Sequence, residues 1–224
     1  MRFDLLTIFP HSLDSYFQES ILKRAQAKKL ITIKTHDIRQ AATDKHRKVD
    51  DTPYGGGAGM VMKVDVVHKA LQKIYRSKNK STRVILLAPK GSFFNQNQAK
   101  RLAKYKRLIF ISGHYEAIDA RIEQYVDEII SIGPYVLTGG ELPAAVIIDS
   151  VARMIPGVVG KEASVADESY DSIQHNQTAI EYPHYTRPEV YKGKRVPDVL
   201  LSGDHQKIAT WRKQQKKSIS LSHD

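Results

Sequence analysis

Three apolar runs constrain this chain more than anything else in it. RVILLAP (83–89), RLIFISG (107–113) and EIISIG (128–133) follow one another with helix-like segments, 95–105 and 118–125, in the gaps. The runs are apolar at nearly every position, the mark of strands covered on both faces. Strands alternating with helices predict an α/β domain built on a mainly parallel sheet. The flanking segments agree. FDLLTIF (3–9) reads as a strand, 12–29 as helical and LITIKTHDI (30–38) as an alternating strand. Residues 64–76 form an expected helix with Val67, Leu71 and Ile74 on one face. Another expected helix, 142–154, carries Pro143 in its first turn, where proline is tolerated.

All three runs break into Gly or Pro at their carboxyl ends, in LLAPKG (86–91), ISGHYE (111–116) and SIGPY (131–135). Ligands of open α/β sheets bind in the crevice beyond those ends, and glycine lets a ligand approach the backbone. The third break continues as SIGPYVLTGGELP, with Gly139 and Gly140 just before the helix start. Ordinary turns are the alternative reading. The sequence has neither GxxxxGK[ST] nor a GxGxxG opening a helix after a strand, and no Lys or Arg lies between Arg121 and Arg153. A nucleotide polyphosphate is poorly served by such a site. An uncharged or cationic ligand beside Glu116 and Glu141 fits better.

The net charge is +11, and its distribution is uneven. Residues 66–115 hold twelve Lys and Arg and no acid; 116–181 hold twelve acids and three bases; 187–217 hold nine bases and three acids. Basic stretches around an acid-bearing centre suggest a polyanion, nucleic acid first, held around a site that uses carboxylates. Solvated basic faces are the plainer reading. There is no cysteine, which removes disulfides and thiolate chemistry and fits a cytoplasmic protein. The opening MRFDLLTIFPHS is too short in apolar run for a signal peptide, and no stretch has the apolar length to span a membrane.

Other features are weaker alone. KVDDTPYGGGAGM (48–60) reads as a flexible loop, or, beside His46, Arg47 and Lys48, as an RNA-facing one. Arg153 stands four residues after Asp149, the spacing of a helical ion pair. Asp167 and Glu168 fall in a polar, aperiodic stretch, 161–178, expected to link the sheet domain (1–160) to a small basic helical domain (179–224). His175, His184 and His205 are too scattered to suggest a metal site.

DDTPYGGGAGM, SGHYEAIDARI, SIGPYVLTGGELPAAVIIDSVARMIPGVVG, EYPHYTRPEVYKG and LLSGDHQKIATWR occur in that order. Together they resemble the bacterial tRNA (guanine-N1)-methyltransferases of the SPOUT class, from Met1 to about Trp211. The resemblance implies a trefoil-knotted α/β domain, a C-terminal helical domain that grips tRNA, and a homodimer. It implies S-adenosyl-L-methionine as methyl donor, a magnesium requirement, and methylation of N1 of the guanine just 3′ of the anticodon.

Carried over residue by residue, the resemblance assigns cofactor contacts to Leu86, Leu87, Pro89, Gly113, Tyr115 and Glu116. It assigns them also to Ser131, Ile132, Gly133, Pro134, Tyr135, Val136, Leu137, Gly139 and Gly140. Asp50 and Arg187 are candidate RNA contacts; Tyr185 and Lys192 join Arg187 in that reading, with solvated surface the alternative for these three. The family's general base precedes a Ser-aromatic pair; Glu168 stands there, before Ser169 and Tyr170, with Asp167 one place earlier as the alternative. Arg153 matches the arginine that acts on the guanine O6 side. The chain departs from the family at Ala58, Ala88, Ala117 and Pro134, where Pro, Ser, Gly and Asp are usual, and its 169–181 segment is longer. A cofactor-free RNA-binding protein and a knotted methyltransferase of another RNA are the competing readings.

Overall fold

The computed structural model describes residues 1–160, 169–170 and 177–220. The chain divides into two compact units, Met1–Gly160 and Lys161–Asp224.

The first unit runs β1 (Arg2–Thr7), α1 (Asp14–Phe17), α2 (Ser20–Ala27), β2 (Thr32–Asp37), β3 (Asp50–Asp51), β4 (Val61–Met62) and α3 (Val64–Ile74). It continues with β5 (Thr82–Phe93), α4 (Gln96–Leu102), β6 (Arg107–Ser112), β7 (Ala117–Ile118), β8 (Glu128–Ser131) and α5 (Glu141–Arg153). Five strands form one sheet in the order β2-β1-β6-β5-β8. Every pairing in it is parallel.

The continuous apolar runs are explained by two cores, one per face. Successive strand residues point to opposite faces. Ile85, Leu87, Leu108 and Phe110 pack with α2, α4 and α5. Val84, Leu86, Ile109 and Ile111 pack with α3 and the 3₁₀ turns at Ile38–Ala41 and Ala120–Tyr125. A small sheet, β3-β4-β7, lies beside the main one.

Several elements differ from the sequence expectation. The 12–29 helix is two short ones, broken where Ser20 takes a positive φ of 48°. The 118–125 helix is a 3₁₀ turn preceded by β7. RVILLAP does not end its strand: β5 leaves the ladder after Leu87, bulges through residues 88–91, and pairs with β8 again at Ser92 and Phe93.

The second unit holds β9 (Gln177–Ile180), β10 (Val190–Tyr191), β11 (Lys194–Arg195), α6 (Asp198–Leu201), α7 (His205–Gln215) and β12 (Lys217–Ser220). Asp204 caps α7 by accepting from the amides of Gln206 and Lys207, both at 3.1 Å. The tail read as helical therefore also contains two antiparallel ladders, β10-β11 and β12-β9. These strands are only two to four residues long, so no periodic apolar signal marks them.

At the amino end of the main sheet Asp4 is fully buried. It accepts from Arg2 and Arg107 at 2.7 Å and pairs with His36 at 2.5 Å. Burial pushes its carboxyl up, but the hydrogen bonds from His36, Arg2 and Arg107 prevail and hold it at about 2. A carboxylate depressed below its ordinary 3.8 stabilises the fold above that pH. We expect about 2 kcal/mol of stability from this group at neutral pH, lost as pH falls through 4 toward 2. Asp4→Asn should destabilise the protein at pH 7 and flatten that acid limb, as read by urea unfolding across pH.

Candidate active site

The parallel register sets the three broken strand ends side by side. Leu87 of β5 is level with Ser112 of β6 and Ile130 of β8, and β5 stands between the other two. Their turns therefore open onto one crevice at the carboxyl edge of the sheet.

The segment after β8 closes that crevice. It leaves at Ser131 yet meets the end of β6, two strands away: Gly139 bridges to His114, and the Gly140 amide donates to the Gly113 carbonyl at 3.0 Å. Residues 132–138 thus cross over the end of β5, a span of about 10 Å at ordinary strand spacing. Beneath them lies a cavity of about 430 Å³, within the range of small-molecule sites.

Two glycines make this crossing sterically possible. A Cβ on Gly140 would lie 2.7 Å from Ser112 Cα and 2.9 Å from its Cβ. A Cβ on Gly91 would lie 2.5–2.6 Å from the Ile129 and Ile130 backbone. Backbone cannot yield as a flexible side chain can.

Fourteen of the fifteen residues singled out as cofactor contacts line the cavity: all but Pro134. Leu86, Leu87 and Pro89 come from β5 and its bulge, Gly113, Tyr115 and Glu116 from the turn after β6, and the rest from the crossing segment. Pro134 does not contribute to the wall; its neighbour Tyr135 turns its ring back over Gly133, with its hydroxyl donating to the Ile132 carbonyl at 3.3 Å. The walls are largely apolar. Lys90 is the one Lys or Arg in the lining, and its ammonium is paired with Glu123. No phosphate cradle is built here.

The turn after β6 is under local constraint. Tyr115 has a positive φ of 61°, a conformation that costs a non-glycine residue on the order of 1 kcal/mol or more. The Glu116 amide donates to the Met60 carbonyl at 3.1 Å, and its side chain lies against Gly59. The glycine-rich 52–59 loop is thereby attached to the cavity rim through β4 and β7, which pair in parallel. Asp50 opens that sheet opposite Met62 and does not line the cavity.

One set of residues was hardly visible in the sequence. Glu141 is buried at the start of α5, accepts from the Thr7 hydroxyl, and pairs with His114 Nε2 at 2.6 Å. Thr7 ends β1 and His114 follows β6. Only the presence of Glu141 near a glycine pair hinted at it.

Arg153 closes the last turn of α5, half-buried. It stands twelve positions after Glu141, about 18 Å along the axis. Asp149 accepts from Tyr16 at 2.9 Å, and that carboxylate raises the tyrosine's pKa. Glu168 and Asp167 lie outside the described residues, as does His175. Arg187 belongs to the second unit, where it lines a depression with Tyr182, Tyr185, Trp211 and Arg212. There Arg212 sits 4.9 Å over the Tyr182 ring. Among the described residues no group of His, Asp or Glu is placed to hold a metal ion.

The sequence model described as tRNA (Guanine-1)-methyltransferase TrmD matches residues 1–222. The chain belongs to that family. Among its relatives is a "tRNA (guanine-N(1)-)-methyltransferase" of Carboxydothermus hydrogenoformans, 53% identical over 96% of this chain and 82% of the relative. Proteins of the same name from Chloroflexus aggregans and Geobacillus kaustophilus are 52% and 50% identical over 96% of this chain, covering 83% and 86% of their own lengths. The α/β unit with its parallel sheet is this TrmD-family chain's central architecture. No described helix is long and apolar enough to cross a membrane.

The crossing predicts a sharp contrast between glycines. Gly91→Ala should cost about 1–3 kcal/mol by forcing β5 from β8. Gly160→Ala, with nothing within 4 Å, should be near neutral. Urea denaturation of the two variants checks this.

Proposed function

We propose that this chain transfers a methyl group from S-adenosyl-L-methionine to N1 of the guanine at tRNA position 37, just 3′ of the anticodon. Family membership supports the reaction class. The observation that carries the cofactor reading is the cavity itself: strand-end backbone and apolar walls, no unpaired lysine, and Glu116 at the rim. Such a lining fits a phosphate-free ligand bearing a positive charge. When bound, the cofactor supplies an activated methyl group on a sulfonium. A cytoplasmic location accords with a tRNA substrate.

The protein's share of the chemistry falls on the guanine, whose N1 carries a proton at neutral pH. The carboxylate of Glu168, or of Asp167 if the loop is shifted by one residue, accepts that proton. General-base action of this kind contributes typically about 10²–10⁴ in rate. Negative charge moves to O6 as the proton leaves, and Arg153 stabilises it there. The walls from β5, β6 and the crossing segment fix the donor's orientation. Asp50, Arg187, Tyr185 and Lys192 contact the RNA, and the 179–224 region serves as the tRNA-gripping domain. A magnesium requirement is part of the same family reading, and no residue of the chain is assigned to hold the ion.

A homodimer and a trefoil knot complete the reading. The knot accords with residues 132–138 crossing the β5 end and returning to β6. The dimer accords with apolar groups left outside: Leu142 and Val146 on α5, Val136 on the crossing segment, and Tyr16. Arg153 stands about 15 Å along α5 from Pro143, the last helix residue on the cavity wall. It therefore serves best at the cavity of a second copy.

Mass mapping of methylated nucleosides in a tRNA transcript with guanine 3′ of the anticodon tests the reaction; an unmodified transcript refutes it. Glu168→Gln should bind cofactor normally and lose about 10²–10⁴ in single-turnover rate, while Asp167→Asn stays within severalfold. The reverse pattern moves the base to Asp167. Arg153→Ala should lower the same step by about 10².

A further inference from the structure

We propose that Glu141 is a positioning residue for the donor site, acting through His114 and Gly139, with Thr7 as its anchor. This rests on the cofactor reading above. Glu141 does not itself line the cavity; its work is done one residue away.

The argument starts from its surroundings. Glu141 is 6% exposed, so an unpaired carboxylate there is costly. One oxygen accepts from the Thr7 hydroxyl, and Thr7 in turn accepts from the Phe9 amide at 2.9 Å. The other oxygen meets His114 Nε2 at 2.6 Å, and the His114 ring is held on its other side by the Phe9 ring, centroids 4.8 Å apart. Three chain segments distant in sequence are tied at one carboxylate: the end of β1, the turn after β6 and the start of α5. At the first position of a thirteen-residue helix, the charge also faces the positive end of the helix dipole.

Two cavity walls hang from this link. The His114 backbone bridges to Gly139 and its ring lies directly against that glycine, so a shifted ring displaces the landing point of the crossing segment. The next residue is Tyr115, in its left-handed conformation, followed by Glu116. A His114 freed from Glu141 lets Tyr115 relax and carries Glu116 away from the rim. The crossing segment then loses its landing point as well. A carboxylate is suited to this role because it accepts from two sides in fixed geometry.

Calorimetry on the full chain tests the assignment with two ligands, S-adenosylmethionine and S-adenosylhomocysteine, the second without charge at sulfur. Glu141→Ala should weaken both by the same factor, about tenfold to hundredfold, as expected when a buried charged hydrogen bond is lost. The KM for tRNA should stay within about twofold. Glu141→Gln, whose amide oxygen still accepts from Thr7, should recover most of the affinity. Thr7→Val and His114→Ala should each weaken both ligands, and they carry the test if Glu141→Ala does not fold. Unchanged affinity in these variants overturns the proposal. So does a loss confined to S-adenosylmethionine, which would make Glu141 a direct partner of the sulfonium. A wild-type chain that binds neither ligand sinks the function reading and this one together; normal wild-type binding with unaltered variants sinks this one alone.

Discussion

No side chain fits between Gly140 and Ser112, and the cavity-bearing half of the first unit depends on that contact. The crossing segment starts at the edge strand β8 and must return to β6 over the intervening end of β5. It can do so only where backbone meets backbone. Gly140 permits the landing on β6, and Gly91 permits β5 to rejoin β8 after its own excursion. The cavity is the space left between these two detours. Its shape is therefore set by main-chain geometry, with side chains supplying apolar lining rather than the frame. A site framed in this way is well matched to recognition by backbone amides and carbonyls, which mutation does not readily alter.

The two ends of the sheet are secured differently. At the amino end Asp4 satisfies its charge within a cluster of two arginines and a histidine, a closed arrangement that serves stability. At the carboxyl end Glu141 has a hydroxyl on one side and an imidazole on the other, and the imidazole belongs to a loop that walls a cavity. Both carboxylates are buried and both are partnered. What separates them is what their partners touch: solvent-facing sheet edge in one case, the rim of the cavity in the other. Burial of a charge alone therefore does not mark a functional group in this fold.

The parallel sheet and the location of the crevice were legible because each is written locally. Runs such as LIFI are apolar at every position since both faces are covered, and a run that stops at Gly or Pro announces its turn. The residues that the resemblance singles out as cofactor contacts fall together along one cavity, save Pro134, which lies off its wall. Other features are written across distance. Thr7 and Glu141 are 134 residues apart, and nothing in either neighbourhood names the other. The return of β5 at Ser92 depends on a partner strand nearly forty residues later. The break at Ser20 is a backbone event in a sequence with good helical spacing. The strands of the second unit are too short to carry a periodic signal, so a helix-forming composition prevailed in the reading.

Charge shows the same gap between sequence and space. Read linearly, residues 116–181 are an acidic centre between two basic stretches. In the first unit the acids at its start are largely consumed by bases from the preceding stretch. Asp127 meets Lys78, Glu128 meets Arg83 and Arg101, Glu123 meets Lys90, and Asp119 meets the nearby Arg121. The lysine pairing pushes Lys78 up, and Asp127 is held low despite its partial burial. These pairs tie the β5 and β8 edge and its turns, so part of the inversion of charge along the chain is the two halves of an ion-pair lattice. Glu116 stands apart from this lattice, packed on Gly59 at the cavity rim. The excess of positive charge that remains is free to draw a polyanion toward the protein over long range. The cavity itself, with its one ammonium neutralised, gives phosphate no reason to enter. Long-range attraction of a polyanion and the lining of the cavity thus fall to different residues, so neither electrostatic demand compromises the other.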